Sequence, residues 1–504
     1  MNKKQVILVF VLIFLLGAFL RLYDLDRLPI HHDEGVFSSF VENILNDGYY
    51  SFDTEYHGTV MFYISAGFMK IFGMQDFTLR LGTAIFGVLA ILLVWPMKKY
   101  LSDIGMLTSA FFIATSPALV YYSRFSFHDV PFVFFYLLFV YAIFEYFDGQ
   151  KNKFLYLASV ALAFMFSIKE VVHMLLPGIL LFFVLLAIHK GVKEHWTSGA
   201  KIIANIIQFS LFPFVFYILN LNHIIDFVNI KTGVSTNLIY ASVGILFSAI
   251  VALFALFSYD RWWKKGIIIS VDVQRYFLPA IIAFFVTAVL FSLFYTAGFT
   301  QTSDGLDKGL NTPISYNLQK IGQQTGHYKS IWYYARTLYL FESFILMLSI
   351  ASLFLARNLF SRLFIFLSTY NLLLFSFLSY KTPWHIVYII APMCIAAGYA
   401  VQKEYDLLVE KNKEKIFFTI AIIFAVAITF ISYQISFVKY TDESKIPYVY
   451  VQATEDFREM LEYIENSSQK FNGKNTSIDI LSEEYWPLPW NLREYKNVAW
   501  HAKV

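Results

Sequence analysis

Short clusters of side chains able to do acid–base or phosphate chemistry interrupt a chain that is otherwise largely apolar. His31-His32-Asp33-Glu34 sets two adjacent carboxylates at the start of an amphipathic stretch. Asp33 and Glu34 could take a proton from a hydroxyl or ligate a metal, and they equally suit the first turn of a helix, whose dipole favours anions. Tyr56-His57-Gly58 offers an imidazole for a phosphate or a metal beside a glycine that permits a tight turn. Arg124-Phe-Ser-Phe-His128-Asp129 joins a guanidinium suited to clamping phosphate to two residues that could complete a metal or acceptor site. An internal Arg124–Asp129 pair closing a tight loop is compatible with that reading. In Lys169-Glu170-Val-Val-His173, Glu170 and His173 stand at i, i+3, which puts them on one helix face at a metal-ligand spacing; a Lys169–Glu170 salt bridge is the alternative. Ser379-Tyr-Lys381-Thr-Pro-Trp384-His385 carries a cation able to neutralise a lipid phosphate near a membrane surface. Lys381 could also snorkel there, and Trp384 could belong to an interfacial belt. His327, Tyr328 and Lys329 fall in a loop, 298–336, of a length often used as a lid.

The elements that must position these residues are membrane spans. Of 504 residues, 58% are hydrophobic and 15% charged, whereas soluble domains lie nearer half and a quarter. Apolar runs of roughly 20 residues, the length that crosses a bilayer core, recur almost from end to end. They are continuous rather than alternating, which marks helices and not a barrel. A net charge of +3 with no basic stripe argues against a nucleic-acid partner. The single cysteine, Cys394, allows neither an intramolecular disulfide nor a cysteine-based zinc site. Lys3 and Lys4 place the N-terminus in the cytoplasm, and the run from Gln5 to Leu20 reads as an uncleaved first span. Further spans are expected near 77–96, 104–121, 130–147, 154–168, 174–189, 202–220, 238–258, 276–297, 337–355, 363–379, 386–401 and 416–437, giving about thirteen. Interfacial amphipathic helices are expected at 36–46 and 59–73, in the first outer loop. Residues 1–438 thus form an integral, multi-pass membrane module. Residues 439–504 form a small extracytoplasmic tail with a helix from Gln452 to Glu465 and a strand from Ser477 to Leu481. On this topology every reactive cluster falls on the outer side. That agreement is unexplained by a pure scaffold, and the lack of repeat symmetry or mid-membrane charge argues against a secondary transporter.

In this order of features the chain resembles the GT-C membrane glycosyltransferases. The shared features are an acidic pair after span one, amphipathic helices in the first outer loop, a basic-acidic motif between spans three and four, and a lysine motif before a late span. Protein O-mannosyltransferases and lipid A aminoarabinose transferases share that plan. His-Asp-Glu-Gly, Tyr-His-Gly, Phe-Gly-x-x-Asp-Phe-Thr-x-Arg-Leu (72–81), Arg124 to Asp129, Tyr-Lys-Thr-Pro-Trp (380–384) and Trp-Pro-Leu-Pro-Trp (486–490) are similar to an archaeal branch described as flippase-activity-associated proteins of glycan assembly. The resemblance implies an all-α GT-C-like bundle that moves a sugar from a polyprenyl- or dolichyl-phosphate donor to a glycan, lipid or protein acceptor on the extracytoplasmic face. Asp33 matches the catalytic base and Glu34 its neighbour. Arg124, Asp129 and Lys381 fall where relatives engage donor phosphate or acceptor, and His57, His128, Lys169, His327 and His385 complete the expected substrate-binding set. Some relatives bind a divalent metal (Mg, Mn or Zn) and others do not; Glu170 and His173, a looser match, are the expected ligands where one is bound. A single displacement would invert the anomeric centre while Arg124 and Lys381 stabilise the departing phosphate. The alternative function is a non-catalytic component of a lipid-linked oligosaccharide flippase, which keeps the phosphate-binding cations and needs no base.

Overall fold

Asn2 and Gln5 cap each other's backbone reciprocally, starting α1 (Lys3–Leu22) at the edge of the first apolar run. The computed structural model describes residues 1–50, 52, 56–194, 273–298, 309, 329–378 and 380–501. After α1 come α2 (His32–Asp47), α3 (Val60–Phe72), α4 (Asp76–Leu92), α5 (Lys98–Thr115), α6 (Pro117–Ser123), α7 (Asp129–Gly149), α8 (Asn152–Ile168), α9 (Val172–Glu194) and α10 (Val273–Tyr295). Then follow α11 (Tyr333–Phe341), α12 (Ser343–Leu355), α13 (Leu359–Phe377), α14 (Ile386–Glu410), α15 (Glu414–Tyr433) and α16 (Glu455–Gln469). Among the described residues, six helices are long and apolar enough to cross a membrane, or seven if a bent pair counts as one span. The expected spans at 202–220 and 238–258 lie outside the described residues. The two amphipathic stretches of the first outer loop are α2 and α3.

Two expected spans are broken. The run 104–121 divides at Ser116-Pro117: Ser116 accepts from the Leu119 amide, and Pro117 sits where a helix start tolerates it, so α6 begins anew. The run 337–355 bends by 109° at Glu342, between α11 and α12. The Glu342 carboxylate is buried and caps α6 instead, accepting from Ser116 Oγ (2.8 Å) and the Ala118 amide (2.9 Å).

The chain forms two compact units, Met1–Leu137 with Met165–Glu170 and Asn317–Val504, and Leu138–Phe164 with Val171–Tyr316. In the first, α14 lies tightly along α5: a Cβ on Gly398 would stand 2.0 Å from Ser109 Oγ, so only glycine permits this approach. α1 closes on the same helix, where Arg21 donates to the carbonyls of Ile113 (2.6 Å) and Ala114 (2.7 Å) that α5 leaves unpaired at its end. In the second unit, Tyr146, Leu155 and Ala283 form a buried cluster and Thr287 Oγ1 donates to Ser159 O (3.1 Å).

The tail, read as a strand from Ser477 to Leu481, pairs that strand (β1) in parallel with a second, β2 (Asn497–His501). The expected helix runs as α16, and its apolar face (Phe457, Leu461, Ile464) packs over Leu488, Leu492 and Tyr495. The segment is bound closely to α2 and α4. A Cβ on Gly35 would stand 2.6 Å from Pro487, and Trp490 Nε1 donates to Asp76 Oδ1 at 2.7 Å.

Candidate active site

The first turn of α2 is built by its own polar residues. His31 Nδ1 accepts from the Asp33 amide (3.0 Å), and Glu34 accepts from the His31 amide (3.0 Å), a capping box in which a histidine replaces the usual serine or threonine. Because Nδ1 accepts, Nε2 carries the proton and donates to Tyr450 O at 2.8 Å. The tail therefore helps to hold the start of α2.

The two adjacent carboxylates have different surroundings. Glu34 is fully buried; Arg80 grips it bidentately (Nε–Oε1 2.9 Å, Nη2–Oε2 2.7 Å) and the Ser126 amide donates to it at 2.7 Å. The same guanidinium donates to the carbonyls of Leu25 (2.6 Å), Leu28 (2.9 Å) and Pro29 (3.2 Å), tying down the segment between α1 and α2. Glu34 is thus a buried fastening and not a group open to substrate. Asp33, its side chain 36% exposed, keeps an accessible carboxylate. Burial raises the Asp33 carboxyl, but the hydrogen bond from His32 (3.1 Å) and the fields of His31, His32 and His57 outweigh it, and its pKa falls to about 2. Asp33 is an anion at any working pH.

The other expected residues are reassorted. Arg124 is buried and donates to the carbonyls of Leu20 (3.2 Å), Tyr23 (2.7 Å) and Asp24 (2.6 Å), with its guanidinium 4.2 Å from the Phe437 ring. It secures the exit of α1, so neither the phosphate clamp nor the internal pair with Asp129 is formed. Asp129 takes both its oxygens to Lys169 Nζ (2.9 Å each) and accepts from Tyr388 Oη (2.6 Å), all three side chains buried. Lys169 therefore pairs with Asp129 rather than with Glu170. His128 is buried among Phe37, Phe62 and His57. Burial, with His57 and Lys169, pulls its imidazole well below the ordinary range, so it is neutral.

Glu170 precedes α9 in a turn, so it shares no helix face with His173, which lies in the first turn of α9. Its carboxylate instead accepts from His57 Nδ1 at 2.7 Å. Among the described residues no three His, Cys, Asp or Glu side chains converge on a metal position, and the Glu170 carboxylate is taken up by His57. His385 packs on Phe375 and lies 3.4 Å from Tyr334 Oη. His327 lies outside the described residues. Lys381 Nζ donates to Leu378 O and, among the described residues, pairs with no carboxylate. Its burial holds the ammonium below the ordinary lysine value. Beside it the phenol of Tyr380 is pushed up by burial and then by the charges of Asp33, Tyr450 and Glu170.

Arg80 was absent from the residues picked out for chemistry, although it sits inside one of the motifs. An arginine in the second turn of an otherwise apolar span is costly and points to a buried partner; that signal is present in the sequence.

Residues 56–217 match the family model of dolichyl-phosphate-mannose-protein mannosyltransferase. Among curated proteins no relative matches the chain. The structure is similar to that of ArnT from Cupriavidus metallidurans bound to undecaprenyl phosphate, with TM-score 0.55 and 12% identity over 99% of this chain and 86% of that one. It is also similar to the archaeal oligosaccharyltransferase AglB from Archaeoglobus fulgidus in complex with an inhibitory peptide and a dolichol-phosphate. There the TM-score is 0.55 and the identity 13%, over 99% of this chain but only 64% of that one. The fold of this chain is therefore the one shared with ArnT and AglB.

Proposed function

We propose that the chain is an inverting membrane glycosyltransferase that moves a sugar from a polyprenyl- or dolichyl-phosphate donor to an acceptor hydroxyl on the extracytoplasmic face. The observation that carries this reading is the division of labour between neighbours: Glu34 is locked to Arg80, while Asp33 stays accessible and ionised. So acidic a carboxyl is a weak base towards a free hydroxyl. It becomes competent once the hydroxyl oxygen has begun to bond to the anomeric carbon and its proton has turned acidic. Its negative charge also favours an oxocarbenium-like transition state as the sugar–phosphate bond lengthens. The acceptor oxygen then bonds to the anomeric carbon, its proton passes to Asp33, and the bonding pair leaves with the lipid phosphate. Lys381 supplies a cation without a carboxylate partner among the described residues, and a phosphate would give it the missing counter-charge. The lipid-phosphate ligands of ArnT and AglB support this donor class.

The test is mannosyl transfer from radiolabelled dolichyl-phosphate mannose in reconstituted native-lipid membranes. Asp33→Asn should lower the rate by about 10²–10⁴-fold. Unchanged transfer by the variant would remove Asp33 from the role of base. No transfer by the intact protein, with glycolipid still crossing the bilayer, would favour the flippase component.

A further inference from the structure

The Tyr-His-Gly turn is constructed with unusual care for a loop. Gly58 donates its amide to Ile168 O at 3.1 Å, and a Cβ there would stand 2.1 Å from Ser167 O, so any other residue would push the turn away. His57 itself takes a positive φ of 72°, a region that non-glycine residues avoid unless their surroundings compel it. This backbone brings His57 Nδ1 to 2.7 Å from Glu170 Oε1, against side chains only 20% and 10% exposed. The carboxylate accepts, so Nδ1 carries the hydrogen, which in the uncharged tautomer leaves Nε2 with a lone pair. Among the described residues Nε2 has no hydrogen-bond partner.

The position of that lone pair matters. The His57 ring lies 6.4 Å from that of Phe37, which stands one turn beyond Asp33 on the same face of α2, and Trp384 lies 6.5 Å from His31 at the start of that helix. The His57–Glu170 pair and the Tyr380–Trp384 segment thus both meet the start of α2, which carries Asp33, and Lys381 follows Tyr380 directly. A donor whose phosphate meets Lys381 would set its sugar against this start of α2.

On the basis of the transferase reading above, we propose that His57, oriented by Glu170, is a sugar-binding residue whose Nε2 accepts a hydrogen bond from a hydroxyl of the donor sugar. Glu170 is its positioning partner. Their role is to distinguish a sugar-bearing lipid phosphate from the bare lipid phosphate and to fix the ring against Asp33.

The experiment measures binding of dolichyl-phosphate mannose and of dolichyl phosphate to the full-length protein in nanodiscs. The proteins compared are wild type, His57→Phe, His57→Gln and Glu170→Gln. Wild type should prefer the mannosylated lipid. His57→Phe should reduce that preference about tenfold, the scale of one lost hydrogen bond to a buried acceptor, and leave affinity for dolichyl phosphate unchanged. His57→Gln, which can present an amide oxygen near the Nε2 position, should restore part of it, and Glu170→Gln should lose an intermediate amount. A wild type without preference, or a His57→Phe variant that keeps it, overturns the assignment. A variant that loses both lipids equally does so too, because the effect is then general damage to the site. Failure of the wild type to bind dolichyl phosphate at all sinks the lipid-phosphate reading instead.

Discussion

Arg80 offers the sharpest test of how the site is held. Replacing it with methionine fills much of the space but removes the bidentate grip on Glu34 (2.9 and 2.7 Å) and the bonds to the carbonyls of Leu25, Leu28 and Pro29. Glu34 would then be a fully buried carboxylate supported only by the His31 and Ser126 amides. Removing one member of a buried ion pair costs about 3–5 kcal/mol, because the other charge stays desolvated without compensation. Removing both charges costs far less, since the desolvation penalty disappears with them. Arg80→Met should therefore lose about 4 kcal/mol of unfolding free energy. The double variant Arg80→Met/Glu34→Leu should recover about half of that loss, the orphaned carbonyls accounting for the remainder. Reversible denaturation in mixed micelles of wild type, both single variants and the double variant closes the cycle. If Arg80→Met costs below about 1 kcal/mol, or if the single losses simply add, the pair is not the coupled fastening described here.

Two further outcomes follow from the same geometry. Tyr388→Phe removes the 2.6 Å bond to Asp129 while Lys169 keeps both carboxylate oxygens; the loss should be about 1.5–3 kcal/mol in the same denaturation assay, the range for a hydrogen bond to a charged group. Burial tends to raise the Glu170 carboxyl, but His57, by field and hydrogen bond, and then Lys169 overcome it and hold the pKa at about 2. A depressed carboxyl stabilises the fold fully above its ordinary value and loses that stabilisation as pH falls through about 2. Unfolding followed between pH 6 and pH 3 should show stability declining below about pH 4.5 in wild type, and the decline should be visibly shallower in Glu170→Gln. Parallel curves would show that Glu170 carries no such linkage.

What the sequence disclosed and what it hid can be separated by range of interaction. Apolar runs and their polar interruptions are local, so α1, the amphipathic α2 and α3, and β1 were readable where they stand. Pairing is not local. Glu34 and Asp33 are chemically similar neighbours, and what separates their roles is Arg80, 46 positions away across a helix start. Lys169 stands next to Glu170 yet bonds Asp129, because consecutive residues project in different directions and the partners a buried charge finds are those that the packing brings opposite it. Arg124 likewise passes over Asp129 for the carbonyls at and just beyond the end of α1. The tail carries the same lesson about boundaries. Composition sets residues 439–504 apart, but Tyr450 O receives His31, Gln452 donates to Pro29 O at 2.7 Å, and Pro487 fits against Gly35. Each of those contacts lands on the turn that carries Asp33 or on the segment leading into it, so the segment that composition would detach is one of the walls that aim the carboxylate.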